Sequence, residues 1–272
     1  IHAAGVKPDV DVPGDISALA VKSLDIVGVR LDVSLSTLGE IGRSIARYNL
    51  GLLAAGDDLG LSIFVTPGVY SAFSADAKGG PLVCVHTYPV AFRTFAQRYD
   101  RGQPLVVTKV RQVPSECWPA ELKCRSRMHY FLADREARQR DPDARALLLD
   151  LDGGVTEAST ANVVAYFRNE GLVSPPKEKI LPGITVAELE TLAGQLGVPM
   201  IYRELRPDEL AGADELFLTS TSPSFGSATS RSSWTTRGAL NSCRRAARQV
   251  RMAGVSHAGG AAAGQLTRGR HS

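Results

Sequence analysis

The stretch from Ala144 to Thr221 reads ARALLLDLDGGVTEASTANVVAYFRNEGLVSPPKEKILPGITVAELETLAGQLGVPMIYRELRPDELAGADELFLTST. Leu147–Leu149 run into Asp150-Leu151-Asp152-Gly153-Gly154, an apolar strand followed by turn residues. A second strand is expected over Ala161–Phe167, and Asn169-Glu170-Gly171 turns it back onto Leu172 and Val173 as a hairpin or meander. Pro182-Gly183-Ile184-Thr185 then opens a helix from about Val186 to Leu196. Thr185 and Glu188 stand at capping-box spacing, Leu189, Leu192 and Leu196 form one apolar stripe, and Gly197 ends the helix. The first-turn amides, with a glycine just before them, read either as a seat for phosphate or as an ordinary helix start.

Outward from this stretch, Pro207-Asp208-Glu209-Leu210 starts a short helix and Glu215–Thr219 is a strand. Residues 222–272 change character. They contain no Asp or Glu and eight arginines, so the chain carries −5 before residue 222 and +8 after it. This basic tail, rich in Ser, Ala, Gly and Arg, holds one helical candidate over Leu240–Met252. It has no aromatic platform or nucleic-acid motif, so nucleic acid is not an expected partner.

On the other side, residues 1 to about 22 read as an irregular lead-in with a helix ending before Gly28. Thr37 and Glu40 again have capping-box spacing, and Leu38, Ile41, Ile45, Tyr48 and Leu52 give a helix over about 37–53. Strands are expected at Leu59–Val65, Leu82–Thr87 and Leu105–Val110. These elements make a small mixed α/β domain over residues 1–112. Residues 113–119, with Pro114 and Pro119, form a stiff connector of the kind beside which small-molecule sites lie. A second domain follows over residues 120–221, opening with a helix at Met128–Arg140.

A chain of 272 residues with 44% hydrophobic and 22% charged side chains has enough apolar material for two cores. No apolar run reaches the roughly 20 residues that span a bilayer, and no signal-type leader is legible, so a cytoplasmic location is expected. Cys84, Cys117, Cys124 and Cys243 form no CxxC pair and no metal-ligand spacing, which argues for reduced thiols and no metal site. GxGxxG, Walker A and GxSxG patterns are absent, and neither His86 nor His129 has a neighbouring carboxylate in a triad arrangement.

Three groups remain as chemistry. Lys123, between connector and helix, can have a desolvated amine of lowered pKa that suits covalent bonding to a carbonyl, or it can be a solvated lysine. Glu157 can pair with a ring nitrogen or satisfy local amides. Thr219, Ser220, Thr221 and Ser222 follow a strand, where hydroxyls and free amides hold phosphate or merely form a loop.

Four blocks, LKCRSRMHYFLADREA, LLLDLDGGVTEASTANVVAYF, ILPGIT and ADELFLTST, stand in an order and spacing that resembles the class-IV (fold-type IV) aminotransferases that use pyridoxal phosphate (PLP). The family includes branched-chain and D-amino-acid aminotransferases and aminodeoxychorismate lyase, and the resemblance covers about residues 23–221. It implies an α+β, two-domain D-amino-acid aminotransferase-like fold, with residues 120–221 as the PLP-binding domain, and assembly as a homodimer. Lys123 looks like the lysine that bonds to the cofactor, and Glu157 like the carboxylate that keeps its pyridine nitrogen protonated. The amides of Ile184 and Thr185, the Thr185 hydroxyl, Ser220 and Thr221 look like the phosphate contacts, and the Ser222 amide like a contact to the substrate carboxylate. The implied activity is transamination between a small amino acid and a 2-oxo acid. The alternatives are an aminodeoxychorismate-type lyase or a PLP-binding homologue of impaired activity. Where the family's HxxRL pattern supplies a phosphate-binding arginine, this chain has Asp15 and Ala18, and after Ser222 its text no longer resembles the family. A frameshift or truncation is expected to account for both ends.

Overall fold

Ten strands and five helices are seen in the computed structural model, which describes residues 14–54, 57–69, 72, 79–90, 102–220 and 224–230. The architecture is α+β. A small antiparallel hairpin, β1 (Leu59–Thr66) and β2 (Leu82–Pro89), pairs Leu59 with Pro89 and Thr66 with Leu82. Helix α1 (Gly14–Val27) precedes it, and α2 (Leu35–Leu50) lies on it. Gly42 of α2 lets the helix approach Leu61, and Asn49 Nδ2 donates to Thr87 Oγ1 at 2.7 Å.

The remaining strands form one sheet. They are β3 (Gln103–Val107), β4 (Arg145–Leu149), β5 (Val155–Ala158), β6 (Ala161–Phe167), β7 (Gly171–Ser174), β8 (Met200–Tyr202), β9 (Glu215–Ser220) and β10 (Ser224–Ser230). Their order is β5-β4-β3-β10-β9-β6-β7-β8, and β5 also pairs with β6. Six strands therefore close into a ring, with β7 and β8 extending from it. Closure leaves an inner face that must be filled by side chains. Leu105, Leu147, Val163, Ala165, Leu216 and Leu218 do so as one buried cluster.

Three helices cover this sheet. On its outer face α3 (Met128–Arg140) brings Ala133 and Ala137, both fully buried, against Ala146 and Leu148. The small side chains let helix and sheet approach closely. Helix α4 (Ile184–Gln195) covers Val164 and Phe217 with Val186 and Leu189. A short helix, α5 (Pro207–Ala211), adds Leu210 to the inner cluster. No helix among the described residues is long and apolar enough to cross a membrane.

Several expectations need correction. The strand expected to complete the small domain, Leu105–Val110, is β3, and it pairs with β4 and β10 inside the large sheet. The lead-in before residue 22 is helical from Gly14. Neither expected capping box forms. Helix α2 starts earlier, with the Ser34 side chain accepting from the Thr37 amide at 3.1 Å, and α4 starts at Gly183 with no side-chain cap. An earlier serine wins the first cap because its oxygen reaches the third amide in extended backbone geometry. Finally, Ser224–Ser230 is a strand between β3 and β9, so the family-like fold runs past residue 221. Its backbone groups supply the ladder although its sequence, SFGSATS, lacks an apolar alternation. The helix expected over residues 240–252 lies outside the described residues.

Candidate active site

Lys123 lies in the loop between the connector and α3, and two small-domain elements hold that loop. From α1, Ser23 Oγ accepts the Lys123 amide at 3.1 Å, and Lys22 pairs with Glu121 at 2.7 Å. From β1, Ser62 Oγ accepts from Arg125, whose guanidinium also lies 5.1 Å from the Phe64 ring centroid. The Lys123 side chain keeps exposed surface, yet its amine is drawn below its usual pKa. Desolvation is the main cause, then the positive charge of Arg127, with Glu157 opposing and Arg125 adding to the depression.

Glu157 is only 4% exposed and sits on β5. Its Oε1 accepts the Leu181 amide at 2.5 Å and Asn162 Nδ2 at 3.0 Å, and its Oε2 accepts the Tyr130 hydroxyl at 3.0 Å and Gln112 Nε2 at 3.4 Å. Burial nevertheless outweighs these donors and pushes the carboxyl up to about 7. The Leu181 amide, the Tyr130 hydroxyl and the charge of Lys123 all pull the other way.

The β5–β6 turn explains part of this set. Ser159 and Thr160 form its tip, with Thr160 at φ 62°, and Ser159 Oγ is tied to Asp134 of α3 at 2.6 Å. The pairing places Glu157 opposite Asn162, and Asn162 opposite Thr219 of β9. Residues paired across antiparallel strands share a face, so Glu157, Asn162 and Thr219 form one row on the face that α4 covers farther along. Helix α4 begins against this row. A Cβ on Gly183 would run into Asn162 Oδ1, so only glycine admits this approach.

The amides of Ile184 and Thr185 open α4, and neither has a backbone acceptor among the described residues; the next two amides bond to Gly183 O at 3.1 Å. In the row with Asn162 the Thr219 hydroxyl, 1% exposed, is buried with no hydrogen-bond partner among the described residues. Gln112 Oε1 is a second such atom. Ser220 ends β9, and strand alternation turns its side chain to the face opposite Thr219. Thr221 and Ser222 lie outside the described residues, as do the side chains of Asp15 and Ala18. The two histidines weighed as acid-base groups are in ring contacts, His129 with Tyr130 at 4.0 Å and His86 with Phe64 at 6.1 Å.

Gln112, Tyr130, Asn162 and Leu181 were not foreseen as site residues. Asn162 had a signal, since a two-residue turn at Ser159-Thr160 puts it across from Glu157. The others arrive from just before the connector, from a helix and from a loop that only packing brings together.

A buried carboxyl on which a lysine charge acts, with helix-start amides that have no backbone acceptor among the described residues, is an arrangement that can hold an anionic group. The family model for class IV amino-transferases matches residues 22–230, and the chain belongs to that family. It is 36% identical over 125 residues to the "Probable branched-chain-amino-acid aminotransferase" of Thermotoga maritima. That alignment covers 45% of this chain and 44% of the relative, less than half its length. Its fold is similar to the branched-chain aminotransferase of Thermoproteus uzoniensis with norvaline, at TM-score 0.72 and 23% identity, covering 87% of this chain and 77% of that one. It is also similar to the 4-amino-4-deoxychorismate lyase of Pseudomonas aeruginosa, at TM-score 0.69 and 22% identity, covering 86% and 83%.

Proposed function

We propose that the chain binds PLP and transfers an amino group between a small amino acid and a 2-oxo acid. The observation that carries this reading is Glu157, a carboxylate held by four donors in the interior while the charge of Lys123 acts on it. Four donors fill the acceptor sites of its two oxygens and favour its ionised form. A cationic ring nitrogen would favour that form further. The orphan Thr219 hydroxyl and the glycine approach at the start of α4 fit a phosphate, whose oxygens accept from hydroxyl and amide donors. The residues present therefore fit the cofactor.

When bound, PLP supplies an electron sink for the bonds at the substrate Cα. The protein's own contributions are these. Lys123 provides the amine for covalent attachment; its lowered pKa raises the neutral fraction, so that Nζ can take up the Cα proton and return it. Glu157 holds a proton on the ring nitrogen, helped by the donors that orient its two oxygens. Ile184 and Thr185 offer amides to the phosphate, and the Thr185 hydroxyl and Thr221 stand as its further contacts; the Ser220 side chain, on the other face of β9, is set aside as one. The Ser222 amide is assigned to the substrate carboxylate. The same proposal includes a homodimer as the working assembly, tested by light scattering.

Purified protein incubated with PLP should develop a visible absorbance band. Borohydride should trap the cofactor as a mass increase on the Lys123 peptide, and K123A should lose both signals. An amino-donor screen run with and without a 2-oxo acid acceptor then separates transfer from elimination, because a lyase turns over without the acceptor. A wild-type protein with no band and no trapped mass rejects the proposal.

A further inference from the structure

The two oxygens of Glu157 are held differently. Oε1 is held by the Leu181 backbone amide at 2.5 Å and by its strand neighbour Asn162, whose Nδ2 also donates to Leu181 O at 2.8 Å. Oε2 depends on groups from elsewhere in the chain, the Tyr130 hydroxyl at 3.0 Å and Gln112 Nε2 at 3.4 Å. Gln112 Nε2 also stands 3.4 Å from the Tyr130 oxygen, so the phenol accepts from Gln112 while it donates to the carboxylate.

Tyr130 lies in the first turn of α3, seven residues after Lys123. Its ring packs against the cluster of Val106, Ala133 and Leu148 on one side, and His129 lies 4.0 Å from its centroid. The segment that carries the amine and the strand that carries the carboxylate therefore meet at one hydroxyl.

We infer that Tyr130 is a positioning residue, whose hydroxyl holds Glu157 Oε2 in place and favours the charged carboxylate at the ring-nitrogen position. The inference rests on the PLP reading for the identity of the ring and on this chain's own geometry for everything else. A phenylalanine would fill the same packing space, so the ring alone does not explain the hydroxyl. Desolvation and the neighbouring Glu157 charge raise the phenol's pKa well above its usual range, so it stays protonated and remains a donor. The charged groups that act on the pair are Lys123 on the carboxylate and Arg127 on the phenol; both favour the negative forms.

The test is Y130F, read on the ligand-free protein by carbon-13 NMR of labelled glutamate carboxyls. A lost hydrogen bond to a charged group should raise the Glu157 midpoint by about one pH unit or more. Y130M, which also lacks the hydroxyl and keeps an apolar side chain, should shift it the same way and serves if Y130F does not fold. In the PLP-loaded protein, Y130F should weaken cofactor retention by about tenfold, with the same pH displacement in the absorbance band. A Glu157 midpoint unmoved in Y130F, or in Y130M where Y130F is unfolded, overturns the inference, whatever the cofactor does. A shifted midpoint in a protein whose wild type takes up no PLP upholds the hydrogen-bond role, and overturns the ring-directed half together with the proposed function.

Discussion

Replacing Glu157 with glutamine should change how the ligand-free protein's stability depends on pH. The carboxyl is lifted from its ordinary 4.5 to about 7, with burial as the leading cause. The folded state therefore binds this proton more tightly than the unfolded chain does. Below about pH 4.5 both states are protonated and the group's contribution is fully present. As pH rises through the window from 4.5 to 7 the unfolded chain ionises first, and stability is lost. Above about 7 the whole cost of the buried charge is felt. A difference of about 2.5 pH units corresponds to about 3 kcal/mol, a large share of a typical domain's stability. Glutamine cannot ionise and can still accept from Leu181 and Asn162 through one oxygen. Urea unfolding of both proteins at intervals from pH 4.5 to 8 measures the effect. The wild type should fall by about 3 kcal/mol relative to E157Q across that range. Parallel pH profiles for the two proteins would refute the reasoning, because they would mean that Glu157 carries no raised pKa in the fold.

Three further outcomes follow from the same geometry. T219V removes a buried hydroxyl without a partner, so the ligand-free protein should keep its stability or gain up to about 1 kcal/mol, while PLP affinity falls about tenfold; a loss of stability without loss of affinity would show the hydroxyl to be structural. G183A pushes a methyl into Asn162 and should cost about 1–3 kcal/mol by denaturant unfolding, accompanied by weaker cofactor binding; a neutral variant would contradict the close approach of α4 to β6. S34A removes the side-chain cap of α2 and should cost about 1 kcal/mol by thermal unfolding with no change at Glu157, whereas T37A should cost less; the reverse ranking would restore the cap to Thr37.

The elements legible in the sequence were those whose apolar pattern and punctuation agreed. Helix α3 occupies the expected Met128–Arg140 and β6 the expected Ala161–Phe167, and the expected helix after Gly183 is α4, begun two residues early. The motif text around Lys123 and Glu157 also singled out both residues, and the fold carries them on the loop before α3 and on β5. Strand β8 was missed because three residues are too short for a period to show.

What tertiary structure alone decided was partnership. Strand β3 has the composition of a small-domain strand, and β10 has almost no apolar text, yet both take places in the large ring because their backbone groups complete its ladders. The same holds at Glu157, where Tyr130, Gln112 and Leu181 come from positions 27, 45 and 24 residues away. Local sequence determines which stretches become helix or strand, since spacing along a chain is a one-dimensional property. Which side chain donates to a buried carboxylate is set by strand order and helix approach, and these follow from filling the interior as a whole.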